Sequence, residues 1–225
     1  MKSSAMRLRQ SLRALWRWRY RKPRPAPNES RRQLLAMLSR EGRKKRTVFL
    51  GDSLVAFGEW SELLPGNVAN RGITGDRTDD LLERLPETLA GSPSGLILLV
   101  GINDLRAGRS PEKVAGTVGQ ILEDAMCRIS RESVIVVSIL PSLEIGGAPL
   151  KSIAKTNERL ESVAAAAGVG WVDAFAAFLD ERGRPLSRLF ETDGLHLSPE
   201  GYRSLGDVIT RGMRARRHGA SEQED

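Results

Sequence analysis

The chain has 225 residues, 40% of them hydrophobic and 28% charged, enough for one well-buried α/β domain and too short for two comfortable ones. No stretch approaches the roughly 20 uncharged apolar residues of a membrane-spanning helix, and the single cysteine, Cys127, excludes an internal disulfide framework or a multi-cysteine metal site. The net charge of +7 is unevenly divided: residues 1–46 hold 16 Lys and Arg against 2 acids, the remainder 19 against 26, so a polyanionic partner should meet the N-terminal arm.

In that arm Leu8, Leu12, Leu15 and Trp16 fall on one helical stripe with Arg13, Arg17 and Arg21 opposite. The stripe stops at the stiff linker holding Pro23, Pro25 and Pro27. A second short helix is predicted over 29–40, followed by the basic run Arg43, Lys44, Lys45, Arg46. Arginines interrupt the apolar positions too often for a cleavable secretory signal, so a cytoplasmic protein is expected. Trp16 and Trp18 on an Arg-rich helix suit a lipid interface better than base readout, so peripheral contact with an anionic membrane is expected and nucleic acid is not. A solvated tail and an organelle transit peptide, acid-free until Glu29, are the alternatives.

From Thr47 onward short apolar runs alternate with helical periodicity, the pattern of a parallel sheet with helices on both faces. Strands are predicted over 47–50, 67–70, 96–100, 134–140 and 169–172. Helices are predicted over 78–85, 111–129 and 150–167, the second carrying Val114, Val118, Ile121, Leu122, Ala125 and Ile129 on one face. A last helix begins at Ser198-Pro199-Glu200, and both this start and Ser110-Pro111 set a capping serine before a proline at the first helical position. Cys127 lies off its helix's apolar stripe and reads as a solvated thiol. The organisation is an arm over 1–46, one domain over 47–215 and a polar tail over 216–225.

Ligands of open parallel sheets bind at the carboxyl ends of the strands. Four stretches qualify by position: Gly51-Asp52-Ser53-Leu54, Asn70-Arg71-Gly72-Ile73-Thr74-Gly75-Asp76, Gly101-Ile102-Asn103-Asp104, and Asp193-Gly194-Leu195-His196 before the last helix. Singly, each is ordinary loop sequence, and Gly-Asp-Ser is commonly a tight turn with a capping serine. Together they supply the parts of an acyl-transfer site. His218 sits beside Arg216, Arg217 and Gly219 in a charged tail, which leaves His196 as the candidate base. Asp193, three residues earlier, can accept from the imidazole and free its other nitrogen to take a proton from Ser53. The backbone N–H groups of Ser53 and Gly75 and the side-chain amide of Asn103 are candidate donors to an oxyanion. Phe57, Trp60 and the loop over 141–149 could wall a substrate site, though both aromatics read equally well as core. Arg106 reads as a surface ion pair before it reads as a partner for an anionic substrate.

The blocks Val48-Phe49-Leu50-Gly51-Asp52-Ser53-Leu54, Asn70 through Asp76, Gly101-Ile102-Asn103-Asp104 and Asp193-Gly194-Leu195-His196-Leu197-Ser198 resemble, in order, the four blocks of the SGNH (GDSL-like) hydrolase superfamily, over residues 48–209. Within it, Arg71 through Thr78 and the Trp60 region look most like intracellular platelet-activating factor acetylhydrolase catalytic subunits and bacterial GDSL-type esterases. Thr74 departs from the Ser or Gly of many relatives. The resemblance implies a flavodoxin-like three-layer α/β/α fold with a five-stranded parallel sheet and no metal or organic cofactor. It implies an esterase or lipase-like activity with Ser53, His196 and Asp193 as triad and Ser53, Gly75 and Asn103 as oxyanion hole. The substrate is expected to be a short-chain acyl (acetyl) ester or a lysophospholipid. A membrane-peripheral interaction protein with a residually active scaffold is the reading of a different class, and the oligomeric state is left open.

The intact protein should co-sediment with anionic vesicles at low salt, bind neutral ones poorly and be released by high salt. Each Lys or Arg near an anionic surface contributes on the order of 1 kcal/mol, which salt screens. A chain shortened to begin near Arg46 should stay in solution and still hydrolyse small soluble esters. Equal partitioning of the two chains would reduce the arm to a solvated tail.

Overall fold

Strands buried on both faces of a parallel sheet read as unbroken apolar runs, and Val48-Phe49-Leu50, Leu96 through Leu99 and Val134 through Val137 are such runs. The structure, a computed structural model, describes residues 28–40, 46–144 and 146–221, with side chains described as far as Arg216. Strands β1 (Thr47–Gly51), β2 (Val68–Gly72), β3 (Gly95–Leu99), β4 (Val134–Val137) and β5 (Gly170–Val172) form one parallel sheet in the order β2-β1-β3-β4-β5. The register sets Gly51 level with Gly72 on one side and Leu99 on the other, so three strand ends finish together. The order reverses at β1, which opens the crevice there.

The helices are α1 (Glu29–Arg40), α2 (Ser53–Ala56), α3 (Trp60–Leu63), α4 (Thr78–Thr88), α5 (Ile102–Arg106), α6 (Pro111–Met126), α7 (Leu150–Ala167) and α8 (Pro199–Ser221). Helices α1, α4, α6 and α7 pack side by side, while α8 packs on β5 and α3, which completes the three-layer α/β/α fold. Both capping serines act as expected: Ser110 Oγ accepts from the Lys113 N–H at 3.3 Å and Ser198 Oγ from the Gly201 N–H at 3.1 Å. Among the described residues, no helix is long and apolar enough to cross a membrane.

Differences from the predicted elements have local causes. Strand β2 runs to Gly72, not to residue 70, because its polar side chains find partners: Asn70 bonds the end of α2, and the Arg71 guanidinium donates to Ser39 Oγ at 3.0 Å. Strand β4 stops at Val137, where the Asn157 side chain takes over the backbone of Ile139, accepting from its N–H at 2.8 Å and donating to its carbonyl at 2.9 Å. Helix α4 continues through Pro86 to Thr88; the proline removes one backbone bond, the one to the Leu82 carbonyl, and the last turn gains a side-chain bond from Thr88 Oγ to the Arg84 carbonyl at 2.9 Å. Helices α2, α3 and α5 are four or five residues long, too short to show periodicity.

Helix α1, in the segment read as arm, is fastened to the domain. Asn28 donates to the Thr74 carbonyl at 2.6 Å and Arg31 to the Gly72 carbonyl at 2.8 Å. A cut near Arg46 would remove these bonds, so the shortened chain is better begun at Asn28. Arg216, read as tail, donates to the carbonyls of Arg131, Glu132 and Gly168. The stripe of Leu8, Leu12, Leu15 and Trp16 lies outside the described residues.

Behind the level strand ends, Arg84, 4% exposed, meets Asp76 at 2.8 Å. It also donates to the Gly51 carbonyl at 3.1 Å and the Arg71 carbonyl at 2.8 Å, tying β1 to β2. Arg84→Met strips a buried carboxylate and two carbonyls of this donor, and should cost about 3–5 kcal/mol in urea unfolding. A loss below about 1 kcal/mol, the worth of one ordinary hydrogen bond, would show that these acceptors find other donors.

Candidate active site

A four-residue helix cannot hold itself together, because most of its backbone groups have no partner inside it. Helix α2, which begins with Ser53, is held from outside. Asp52 Oδ1 accepts from the Leu54 N–H at 3.0 Å at its start. At its end the Val55 carbonyl accepts from Trp60 Nε1 at 2.7 Å and from Asn70 Nδ2 at 2.8 Å, and Asn70 Nδ2 also reaches the Gly58 carbonyl at 3.0 Å. Gly72 is required beside it, since a Cβ there would stand 2.2 Å from the Ala56 nitrogen. Ser53 is thereby fixed at the carboxyl end of β1.

The loop before α8 is organised by one carboxylate. Asp193 Oδ1 accepts from the N–H groups of Leu195 and His196, both at 2.9 Å, and Oδ2 meets His196 Nδ1 at 2.5 Å. Burial pushes this carboxyl up, but the Leu195 N–H, the His196 ring and the His196 N–H outweigh it and hold the carboxyl down at about 2. An ionised carboxylate only accepts, so Nδ1 carries the proton and Nε2 of the neutral ring is an acceptor. Nε2 stands 3.0 Å from Ser53 Oγ. The structure therefore brings Ser53, His196 and Asp193 into one hydrogen-bonded line.

The two other sequence candidates flank this line. Gly75 follows β2 and Asn103 follows β3, the neighbours of β1 on either side. Gly75 has φ +80° and open space where a Cβ would lie. The buried Asn103 donates from Nδ2 to the Asp76 carbonyl at 3.0 Å and accepts at Oδ1 from Arg106 Nη1 at 3.2 Å. Asp104 fastens the two flanking loops together by accepting from the Thr78 N–H at 3.0 Å, Thr78 Oγ at 2.8 Å and Arg109 at 3.0 Å. Among the described residues, no group of three or more His, Cys, Asp and Glu is placed to hold a metal ion.

A model of the GDSL-like Lipase/Acylhydrolase family matches residues 49–204. The chain belongs to this family. It is a carboxylic ester hydrolase, similar at 31% identity over 166 residues to the Platelet-activating factor acetylhydrolase IB subunit alpha2 of Homo sapiens, with 70% of this chain and 71% of that protein covered. A solved chain from Streptococcus pneumonia matches with a TM-score of 0.74 at 25% identity, covering 94% of this chain and 100% of that one. The fold is shared with the acetylxylan esterase of Geobacillus stearothermophilus, at a TM-score of 0.63 and 18% identity over 75% of this chain and 94% of that one.

Against this family frame some sequence expectations move. Trp60 does not wall the site: it is 1% exposed and packs on Phe49 and Tyr202 with ring centroids at 4.6 and 5.9 Å. Phe57 is 54% exposed, its ring 5.2 Å from that of His196. Arg106 is the ion pair expected, with Glu144 as partner. Cys127 is exposed, as read. The His218 side chain lies outside the described residues. Sequence reasoning missed the roles of Asn70, Arg84 and Glu144, whose bonds to Gly58, Gly51 and Arg106 span 12, 33 and 38 residues with no local spacing to mark them.

Asp52 is the titrating group to test. Burial, opposed by the Leu54 N–H and reinforced by Asp76 and Asp104, pushes its carboxyl up to about 7. The folded state then binds a proton that the unfolded chain, titrating near about 4, releases first. This contribution to stability is whole below about pH 4 and is lost as pH rises through about 7. Asp52→Asn retains the acceptor for Leu54 and cannot ionise, so its urea midpoint should vary less over that window than the parent's. Identical pH profiles for the two proteins would exclude Asp52 as the titrating group.

Proposed function

We propose that this hydrolase cleaves a short-chain acyl (acetyl) ester or a lysophospholipid, through an acyl-enzyme on Ser53. The observation that carries the reading is the 3.0 Å contact between Ser53 Oγ and His196 Nε2, with Nδ1 held by Asp193. Ser53 Oγ attacks the ester carbonyl carbon while its proton passes to Nε2. The tetrahedral intermediate carries its negative charge on the former carbonyl oxygen, toward which the Ser53 N–H, the Gly75 N–H and the second N–H of the Asn103 amide are the donors. Collapse expels the alcohol, which takes the proton from the imidazolium, and leaves the acyl group on Ser53. Water then repeats the sequence and releases the acid. Asp193, a carboxylate well below neutral pH, holds the tautomer and stabilises the imidazolium without itself taking the proton.

For the acyl group, support comes from two similar proteins of different alcohol partner, an acetylhydrolase and an acetylxylan esterase, whose names share the acetyl unit. Exposed Phe57 beside His196 offers an apolar wall to such a group.

A fluorophosphonate should add covalently to Ser53 in the folded protein, read by intact mass. Ser53→Ala and His196→Ala should each lower turnover roughly 10⁴-fold, and the double variant should be little worse than either, because the groups act as a unit. Asn103→Ala should lose roughly 10²- to 10³-fold in kcat with KM little changed. On a panel of acetyl, medium-chain, thio- and lysophospholipid esters, acetyl esters or lysophospholipids should be preferred. No adduct on folded protein, with Ser53→Ala fully active, would remove the mechanism.

A further inference from the structure

An amide that serves an oxyanion must present nitrogen. Rotation of the Asn103 side chain by a half turn would exchange N–H for a carbonyl oxygen, which repels the charge it should stabilise. The Asp76 carbonyl at 3.0 Å from Nδ2 accepts, and Arg106 Nη1 at 3.2 Å from Oδ1 donates; only one orientation satisfies both. The Asp76 contact occupies one of the two N–H bonds of Nδ2, leaving the second to act.

The guanidinium that makes this contact is about a third exposed and would be free to swing into solvent if nothing held it. Glu144 holds it by a two-pronged pair, Nε to Oε2 at 2.7 Å and Nη2 to Oε1 at 2.5 Å. This fork uses the two nitrogens that Asn103 does not, so one planar group serves both partners. A lysine has no such fork. The segment carrying Glu144 is in turn pinned to the base loop: the Gly194 carbonyl accepts from the Leu143 N–H at 2.7 Å and Ser142 Oγ at 3.1 Å, and Ser142 Oγ accepts from the Glu144 N–H at 3.1 Å. Gly194 admits this segment because a Cβ would stand 2.7 Å from the Leu143 carbonyl carbon.

We propose that Arg106 and Glu144 are positioning residues that hold the Asn103 amide toward the developing oxyanion and tie its orientation to the loop bearing His196. This rests on the serine-esterase reading above. Neither residue touches the ester in this scheme; both act through Asn103.

The test is steady-state hydrolysis of p-nitrophenyl acetate by the full chain and its variants. Arg106→Ala and Arg106→Lys should each lower kcat about 10- to 100-fold, the scale of a misplaced catalytic group, with KM little changed. The lysine should fail although it keeps the charge, and Glu144→Gln should lose less, in kcat again. In an Asn103→Ala background, Arg106→Ala should add almost nothing, because its effect passes through the missing amide. Losses that multiply in the double variant, effects confined to KM, or wild-type kcat in both Arg106 variants would each overturn the positioning role. Should Arg106→Ala not fold, Glu144→Gln alone and in the Asn103→Ala background is read the same way. Ser53→Ala is run alongside: if it keeps its turnover, the nucleophile and the positioning role fall together, whereas multiplying losses with Ser53→Ala inactive remove the positioning role alone.

Discussion

A hydroxyl on residue 53 and an imidazole on residue 196 stand 3.0 Å apart although 143 residues separate them. Bringing the ends of so long a segment together costs roughly 4 kcal/mol in chain entropy before any contact is made. The contact itself, one hydrogen bond, contributes only about 1 kcal/mol. Its geometry must therefore be a consequence of the fold. On one side β1 is the strand at which the sheet order reverses, flanked by β2 and β3 with their ends level. On the other, Phe190 and Leu197 bridge across the base loop, the Glu191 N–H donates to the His196 carbonyl at 2.8 Å, and Asp193 closes the turn. Each half is cross-linked by its own hydrogen bonds, and docking α8 onto β5 and α3 brings the two together.

Buried charge is concentrated under this edge. Asp52, Asp76, Arg84 and Asp104 are all buried, and burial pushes the Asp104 carboxyl up despite three hydrogen bonds to it. Removing such groups from water is costly, and apolar residues of similar size would often give a more stable core. What the charged groups do here is directional. Arg84 joins the carbonyls of Gly51 and Arg71, and Asp104 joins Thr78 to Arg109, so the loops carrying Ser53, Gly75 and Asn103 are set by bonds with defined angles. Apolar packing alone would leave these loops free to slide.

The parts of this architecture that were legible in the sequence are those governed by local rules. Unbroken apolar runs mark β1, β3 and β4, the 3.6-residue period marks α6 and α7, and the two Ser-Pro starts mark caps that the structure forms. Asp193 and His196 were legible because three residues of one tight turn hold them together. Trp60 was ambiguous because an aromatic residue after a loop has no periodicity to say which way it faces; it faces the core. Strand β2 reads too short in the sequence because Asn70 and Arg71 look like turn residues until their partners, Val55 and Ser39, are known. The same is true of Glu144 and Arg106, whose pairing spans 38 residues and has no trace in spacing.

The division between what is buried and what is exposed at this edge bears on how such a hydrolase changes its substrate. Ser53 and the supports Asp104 and Arg84 are buried and the Asp193 and His196 side chains reach the surface, where Phe57 at 54% and Leu143 at 40% are exposed large apolar side chains, one beside the His196 ring and the other on the segment pinned to Gly194. Each methylene that side chains of this kind cover is worth about 0.8 kcal/mol, or roughly fourfold in rate. Under the proposed function, selection for acyl length at such a rim is graded, a few-fold per carbon, and a substitution at Phe57 that alters it leaves Asp193, Asp104 and Arg84 in place. Discrimination of several orders of magnitude would instead need a buried polar partner for the alcohol part of the ester, because only an unpaired polar group is costly enough to reject a wrong substrate outright.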